Sequence, residues 1–238
     1  MIRVPTHIKG LDEMLGGGFP KGRVILVSGG PGTGKTIFSL QFLASAAERG
    51  IHGIYVTLEE PVNLVKENIE SFAWNISEKE KNNILKLFNS KEIPYAHLSK
   101  QKNKCNEDPI LLMTSKVADA AKSIGAEILV IDPLTCMTIH EQSATVKRRK
   151  IVELFNYLRS KGYTSILTSE TIATGGEWYI EECLADGIIR LDKVIHNFNL
   201  IRTIRIEKMR GVKHDEQPRR YVIDKKGLTV YNKEPVKM

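Results

Sequence analysis

An α/β fold is predicted, with a mostly parallel central sheet flanked by helices and additional strands at the C-terminal end. Three observations predict it. Short β-type runs alternate with helix-period segments through the first two thirds of the chain. One of them, Ile128–Ile131, is apolar at every position, as a strand covered on both faces should be. The last third changes texture: 187–191, 201–207, 219–224 and 228–231 read as strands separated by turn signals such as Lys226-Gly227.

The elements follow in order. Val24-Ile-Leu-Val-Ser28 reads as a buried strand. A helix follows from Thr36 to about Glu48, with Ile37, Leu40, Gln41, Phe42 and Ala44 spaced around it and Gly50 as its stop. Gly53 to Leu58 is a second strand. Pro61 then opens a helix running to about Ala73, with Val62, Val65 and Ile69 on one face. Asn75 to Asn89 reads as another helix, with Ser77 as N-cap and Glu80 completing a capping box. Residues 99–108 form a polar loop, and Asp108-Pro109 starts a helix by cap and first-turn proline. After the strand Ile128–Ile131, a helix spans Val146 to Lys161 and ends at Gly162. Thr164 to Thr168 is the fourth strand. No Pro-, Gly- or Ser-rich linker and no repeat divides the chain, so residues 1–238 are expected to form one domain.

Composition narrows the function classes. With 42% hydrophobic and 26% charged residues, the chain has a globular balance rather than a disordered one. No apolar run approaches the ~18–20 residues of a membrane span, and the start lacks a secretory signal. Cys105, Cys136 and Cys183 are odd in number and too far apart for a zinc or redox motif, so a reducing cytoplasm is the expected location. The six histidines form no metal-spaced cluster. The net charge is +7, and it is concentrated: residues 190–238 hold 13 Lys and Arg against 6 Asp and Glu. Such a segment meets nucleic acid, an anionic ligand or an acidic neighbour, or is simply a solvated surface.

Gly29-Gly-Pro-Gly-Thr-Gly-Lys-Thr36 fits the phosphate-loop pattern G-x-x-x-x-G-K-[ST], between a strand and an apolar helix. Its glycines, Gly30, Gly32 and Gly34 among them, let backbone N–H groups of Pro31's neighbours, Thr33 and the following residues turn onto a phosphate. The helix start, through Ile37, presents its unpaired N–H groups to the same anion. Lys35 would reach the β- and γ-phosphates, and the Thr36 hydroxyl would bind Mg²⁺. Asp132 ends a buried strand at the sheet's carboxyl edge, the place for a carboxylate that holds Mg²⁺ through water.

Glu59-Glu60 ends its strand at the same edge; the pair either orients water or merely opens a helix as dipole-favoured acids. Glu170 is a third strand-end acid. Lys208 and Arg210 share one face of a strand, either as phosphate-binding cations or as a basic edge that discourages aggregation. Lys147-Arg-Arg-Lys150 reads as a nucleic-acid patch or as one solvated helix face.

Taken together the residues resemble the KaiC-like branch of the RecA/RadA superfamily. The likeness runs through Gly10-Leu-Asp-Glu-Met-Leu-Gly-Gly-Gly-Phe-Pro-Lys-Gly22, the phosphate loop, Glu59-Glu60, Asp132, Thr168-Ser-Glu170, Ala185-Asp-Gly-Ile-Ile189 and Lys208-Met-Arg-Gly211, in family order. With one copy of the fold, the chain is more similar to single-domain archaeal relatives than to the two-domain circadian-clock protein. The resemblance implies a RecA-like P-loop core and a hexameric ring with ATP between subunits. It implies Glu59 and Glu60 as the catalytic carboxylate pair. It places Lys208 and Arg210 at the γ-phosphate of the adjacent subunit, with His214 near that nucleotide. Val212 stands where the clock protein's hydrolytic domain has a hydroxyl residue. Glu182 and Cys183 stand where its phosphorylated domain has Ser and Thr, so autokinase activity is not expected.

The expected function is Mg²⁺-dependent ATP hydrolysis. Two alternatives stay open: a DNA-dependent ATPase assisting recombination or repair, motivated by the basic tail, and an ATP-assembled regulatory switch with little turnover. Against DNA, Thr171–Trp178 is short and carries no Lys or Arg where recombinases have a DNA-binding loop. A protein partner is expected but not named by the sequence.

Overall fold

The computed structural model describes residues 1–89, 109–138, 141–170, 179–196 and 198–236. A short ribbon, β1 (Arg3–Val4) with β2 (Phe19–Pro20), encloses α1 (Leu11–Leu15). The main sheet has nine strands. In chain order they are β3 (Val24–Gly29), β4 (Gly53–Thr57), β5 (Leu85–Asn89), β6 (Ile128–Asp132), β7 (Thr164–Glu170), β8 (Gly187–His196), β9 (Asn199–Met209), β10 (Arg219–Asp224) and β11 (Gly227–Pro235). Their order across the sheet is β11-β10-β9-β8-β3-β7-β6-β4-β5. The pairings from β8 through β5 are all parallel, and those from β8 to β11 antiparallel. The expected class is therefore the observed one, and the tail is the antiparallel extension.

Strand alternation divides the interior into two cores. Ile25 and Val27 of β3 face a core built with α2 (Lys35–Ala47), α3 (Val62–Ile69) and α4 (Ile76–Lys81). Val24 and Leu26 face a core built with α5 (Pro109–Ile124), α6 (Thr135–Thr138), α7 (Ala144–Ser160) and α8 (Ile180–Leu184). Ser143 caps α7, its side chain accepting from the Val146 N–H. Asp186, quoted above for its motif, is buried; its carboxylate accepts from Val24 N–H (3.1 Å) and Arg159 Nε (2.9 Å), tying the start of β8 to β3.

The expected helix over 75–89 is corrected. Only Ile76–Lys81 is helical, and Leu85–Asn89 is an edge strand parallel to β4. Leu85 and Leu87 are buried while Lys86 between them is exposed, a period of two that the sheet edge rewards. Asn75, in the left-handed region (φ 48°), occupies the N-cap instead of Ser77, and Glu80 accepts from Leu87 N–H at 3.3 Å rather than closing a capping box. The helix after Pro61 also ends early, at Ile69; Phe72 and Trp74 stack beyond it at 4.5 Å. The loop 99–108 and the segment 171–178 lie outside the described residues.

Gln41 links the two halves of the sheet. Its buried amide donates to Leu228 O (3.1 Å) and accepts from Leu228 N–H (2.6 Å), fastening α2 to β11. Gln41→Leu leaves both Leu228 groups buried and unpaired. It is expected to lower unfolding free energy by about 2 kcal/mol, read from urea denaturation. An unchanged midpoint would assign the clamp no energetic role.

Candidate functional site

The carboxyl edge of the parallel strands gathers the candidates. Gly29 ends β3 with no room for a side chain: a Cβ there would sit 2.3 Å from Leu191 O of the adjacent β8. The loop then turns back on itself, with Thr33 Oγ1 donating to Gly30 O at 2.8 Å and Tyr221 OH donating to Thr33 O. Gly34, at φ 95°, opens α2 with no side-chain cap, which leaves the first N–H groups of the helix for an anion. A cleft of about 360 Å³ lies over this turn, lined by Pro31, Gly32 and Gly34 through Ile37 and by the acids across from them.

Lys35 is 8% exposed, and its ammonium donates to Gly29 O (2.9 Å) and Gly30 O (3.2 Å). Burial lowers its pKa, while Glu170, Asp132 and Glu59 pull it back up; Glu170 lies 3.9 Å away. Thr36 Oγ1 donates to Asp132 Oδ2 at 2.7 Å. Leu58 N–H donates to Asp132 O at 2.8 Å, holding the end of β4, and so Glu59-Glu60, beside β6. Asn68 Nδ2 donates to Glu60 Oε2 at 3.2 Å. Burial, then the charges of Glu170, Glu60 and Asp132, raise the Glu59 pKa above the usual carboxylate value. The two strand-end acids thus differ: Glu60 is drawn to α3, and Glu59 feels the field of the cleft.

Three further polar groups border the site: Thr168 belongs to the Thr168-Ser-Glu170 motif, and Tyr55 and Lys193 belong to none. Tyr55 OH donates to Asp132 Oδ2 at 2.6 Å, and Thr168 Oγ1 donates to Asp132 Oδ1. Burial and the Asp132 charge push the Tyr55 pKa well above its ordinary value. Lys193 Nζ, from β8, donates to Pro31 O at 3.3 Å on the rim of the loop. Tyr55 and Lys193 each sit inside a strand whose pattern reads only as core or edge. The available signal for Tyr55 was general: a fully buried tyrosine needs a partner for its hydroxyl.

Lys208 and Arg210 are brought together, but away from this cleft. Lys208 Nζ donates to Glu182 O and Cys183 O, both at 3.1 Å, and Arg210 Nη2 to Cys183 O at 3.4 Å. Burial and then Arg210 lower the Lys208 pKa. Met209, between them, pairs with Gly187, and Gly187 pairs with Ile25 at the amino end of β3; the phosphate loop leaves the other end, where Gly29 pairs with Leu191. Four residues of strand separate the two, about 13 Å at ~3.3 Å per residue. His214 is mostly buried, its Nδ1 2.9 Å from Val212 O, and Val212 lies in the core.

Part of the basic excess is neutralised within the fold. Arg190 pairs with Glu182 (2.7 Å) and Glu207 (2.8 Å), Arg205 with Glu207 (2.6 Å), and Arg219 with Asp215. In the 147–150 run, Lys150 pairs with Glu141 (3.3 Å), and Arg149 lies 3.9 Å from Glu153. Among the described residues no group of three or more His, Cys, Asp or Glu could hold a metal unaided. Thr36 and Asp132 nevertheless offer hard oxygens of the type Mg²⁺ takes, and Mg²⁺ commonly binds through one or two such groups plus substrate phosphates. The donor set therefore fits a metal that arrives with a nucleotide. No described helix is long and apolar enough to cross a membrane.

The profile of a family described as "ATPase: KaiC" matches residues 4–235. A UPF0273 protein of Aeropyrum pernix is 35% identical over 235 residues, covering 96% of this chain and 93% of that protein. The circadian clock protein KaiC2 of Synechocystis is 28% identical over 238 residues, covering 97% of this chain and 40% of that protein. The crystal structure of a KaiC-like protein from Pyrococcus horikoshii superimposes with a TM-score of 0.83 at 32% identity, covering 97% of this chain and 99% of that one.

Proposed function

The chain belongs to the KaiC family of ATPases, and on that premise we propose that it binds and hydrolyses ATP with Mg²⁺, as one ATPase domain per chain within a hexameric ring. One observation carries the reading: Lys35, Thr36, Asp132, Glu59 and Glu170 converge on one cleft, while Lys208 and Arg210 stand together at the far edge of the same sheet. The first set is a phosphate site with one cation, Lys35, buried among its carboxylates. The second set is a cation pair that cannot reach its own chain's site. A ring supplies each cleft with the pair of its neighbour, and His214 comes with it.

In the proposed reaction, water attacks the γ-phosphorus in line and ADP leaves. The loop N–H groups from Gly30 to Ile37 and the Lys35 ammonium hold the phosphates. Thr36 and, through water, Asp132 would hold Mg²⁺, which would supply neutralisation of the phosphate charge. Glu59, oriented beside Glu60, accepts the proton of the attacking water, and Glu170 lies within reach of the Lys35 side of the cleft. Lys208 and Arg210 of the neighbour offset charge developing on the transferred group.

Steady-state phosphate release tests this directly. Glu59→Gln is expected to lower turnover at least about a hundredfold while leaving ATP binding intact. Glu59 must be ionised to act, and its raised pKa moves that requirement upward in pH. Wild-type kcat/KM is therefore expected to rise with pH through the Glu59 pKa and to fall away below it. A Glu59→Gln enzyme as fast as wild type would remove Glu59 from the chemistry. Stimulation by single-stranded DNA that fades with salt would move the reading to the recombinase-type alternative. ATP binding and assembly without turnover would move it to the regulatory switch. The internal ion pairs of Arg190, Arg205 and Arg219 count against these three cations as a nucleic-acid surface.

A further inference from the structure

The Asp132 carboxylate receives three hydroxyls at once. Thr36 Oγ1 and Tyr55 OH both donate to Oδ2, at 2.7 and 2.6 Å, and Thr168 Oγ1 donates to Oδ1. Thr36 and Thr168 lie within motifs already quoted; Tyr55 does not. Its ring belongs to the core beneath α2, and the residue is 1% exposed. Tyr55 pairs with Val130 in the parallel register of β4 and β6, so Asp132, two residues further along β6, presents its side chain on the same sheet face. The ring is held by packing, and only its hydroxyl meets a polar group.

A carboxylate that serves a metal through water must offer one oxygen in one direction. Asp132 is 6% exposed, so little solvent is present to fix it. Thr36 alone cannot do so, because its hydroxyl oxygen is itself a candidate metal ligand. Thr168 holds the other oxygen. Tyr55 is the donor to Oδ2 that is not itself a candidate metal ligand. Partners of this kind, one bond removed from the metal, set ligand orientation and basicity.

We propose that Tyr55 is a positioning residue for Mg²⁺: its hydroxyl, delivered by β4, fixes the Asp132 carboxylate in the orientation that would serve, through water, the metal arriving with ATP. The proposal rests on the Mg·ATP reading above and adds to it a residue outside the phosphate-loop, strand-end-acid and C-terminal motifs.

The test is Tyr55→Phe in the full chain, read by binding. Affinity for a fluorescent ATP analogue is measured in EDTA, and the Mg²⁺ concentration that half-restores tight binding is measured separately. The expected result is an increase of about tenfold in half-saturating Mg²⁺, with the EDTA affinity unchanged. In combination with Asp132→Asn, Tyr55→Phe is expected to add no further loss, since the two act through one oxygen. An unchanged Mg²⁺ requirement overturns the proposal. So do equal losses with and without metal, additive losses in the double variant, or a Tyr55→Phe chain that fails to fold, because each assigns the hydroxyl to packing instead. If wild-type protein binds the analogue no better with Mg²⁺ than with EDTA, the Mg·ATP reading itself fails.

Discussion

Lys35→Ala is expected to abolish ATP binding and turnover, with at least about a hundredfold loss in each, read by calorimetry and phosphate release. The size follows from what faces the cleft. Glu59, Asp132 and Glu170 all act electrostatically on Lys35, and Glu60 borders the same space. Without the ammonium the cleft is a set of carboxylates presented to a polyphosphate. Two unit charges 4 Å apart interact by about 4 kcal/mol at an effective dielectric of 20, which exceeds a hundredfold in binding. The fold should survive. Lys35 is buried at a cost visible in its lowered pKa, and its two backbone acceptors, Gly29 O and Gly30 O, lie at the loop rather than in the core. A folded Lys35→Ala protein with undiminished turnover would sink the assignment of the loop as the phosphate site.

What could be read from the sequence divides along a physical line. The phosphate loop, Asp132 and the strand-end acids were legible because each needs a particular residue type at a fixed offset from an apolar strand, and β3, β4, β6 and β7 end where those residues predict. The strand Leu85–Asn89 was not legible. Its five residues fit a helix continuing from Ser77 as well as a strand, and only the exposed edge of β4 decides between them. Tyr55 was hidden for the same reason. Its neighbours in sequence, Ile54 and Val56, are core residues, and its polar partner lies 77 residues away, on a strand whose position beside β4 no local pattern encodes. Lys193 reaches the loop only because β8 is the neighbour of β3. Sites built along one segment announce themselves; sites built across the sheet wait for its strand order.

The strand order also makes the second large effect testable. Arg210→Ala is expected to lower turnover at least about a hundredfold, within the range of cations that act on the transferred phosphoryl group, without unfolding the protein. Arg210 is exposed, its side chain bonding at 3.4 Å to Cys183 O and lying 3.9 Å from Asp186, so its loss opens no cavity. Because the pair sits about 13 Å from its own loop along the strands, the loss has to be a property of the interface rather than of the subunit. Mixing discriminates. Lys35→Ala subunits keep Arg210 but have no working cleft; Arg210→Ala subunits keep the cleft. In a ring of head-to-tail interfaces assembled from equal amounts of both, about a quarter of the interfaces pair an intact cleft with an intact Arg210. Two inactive preparations are therefore expected to recover up to about a quarter of wild-type turnover when mixed and reassembled. Verified mixed rings that stay inactive would show that Arg210 serves its own chain, and the separation of the two sites along the sheet would then need a conformational change to close it.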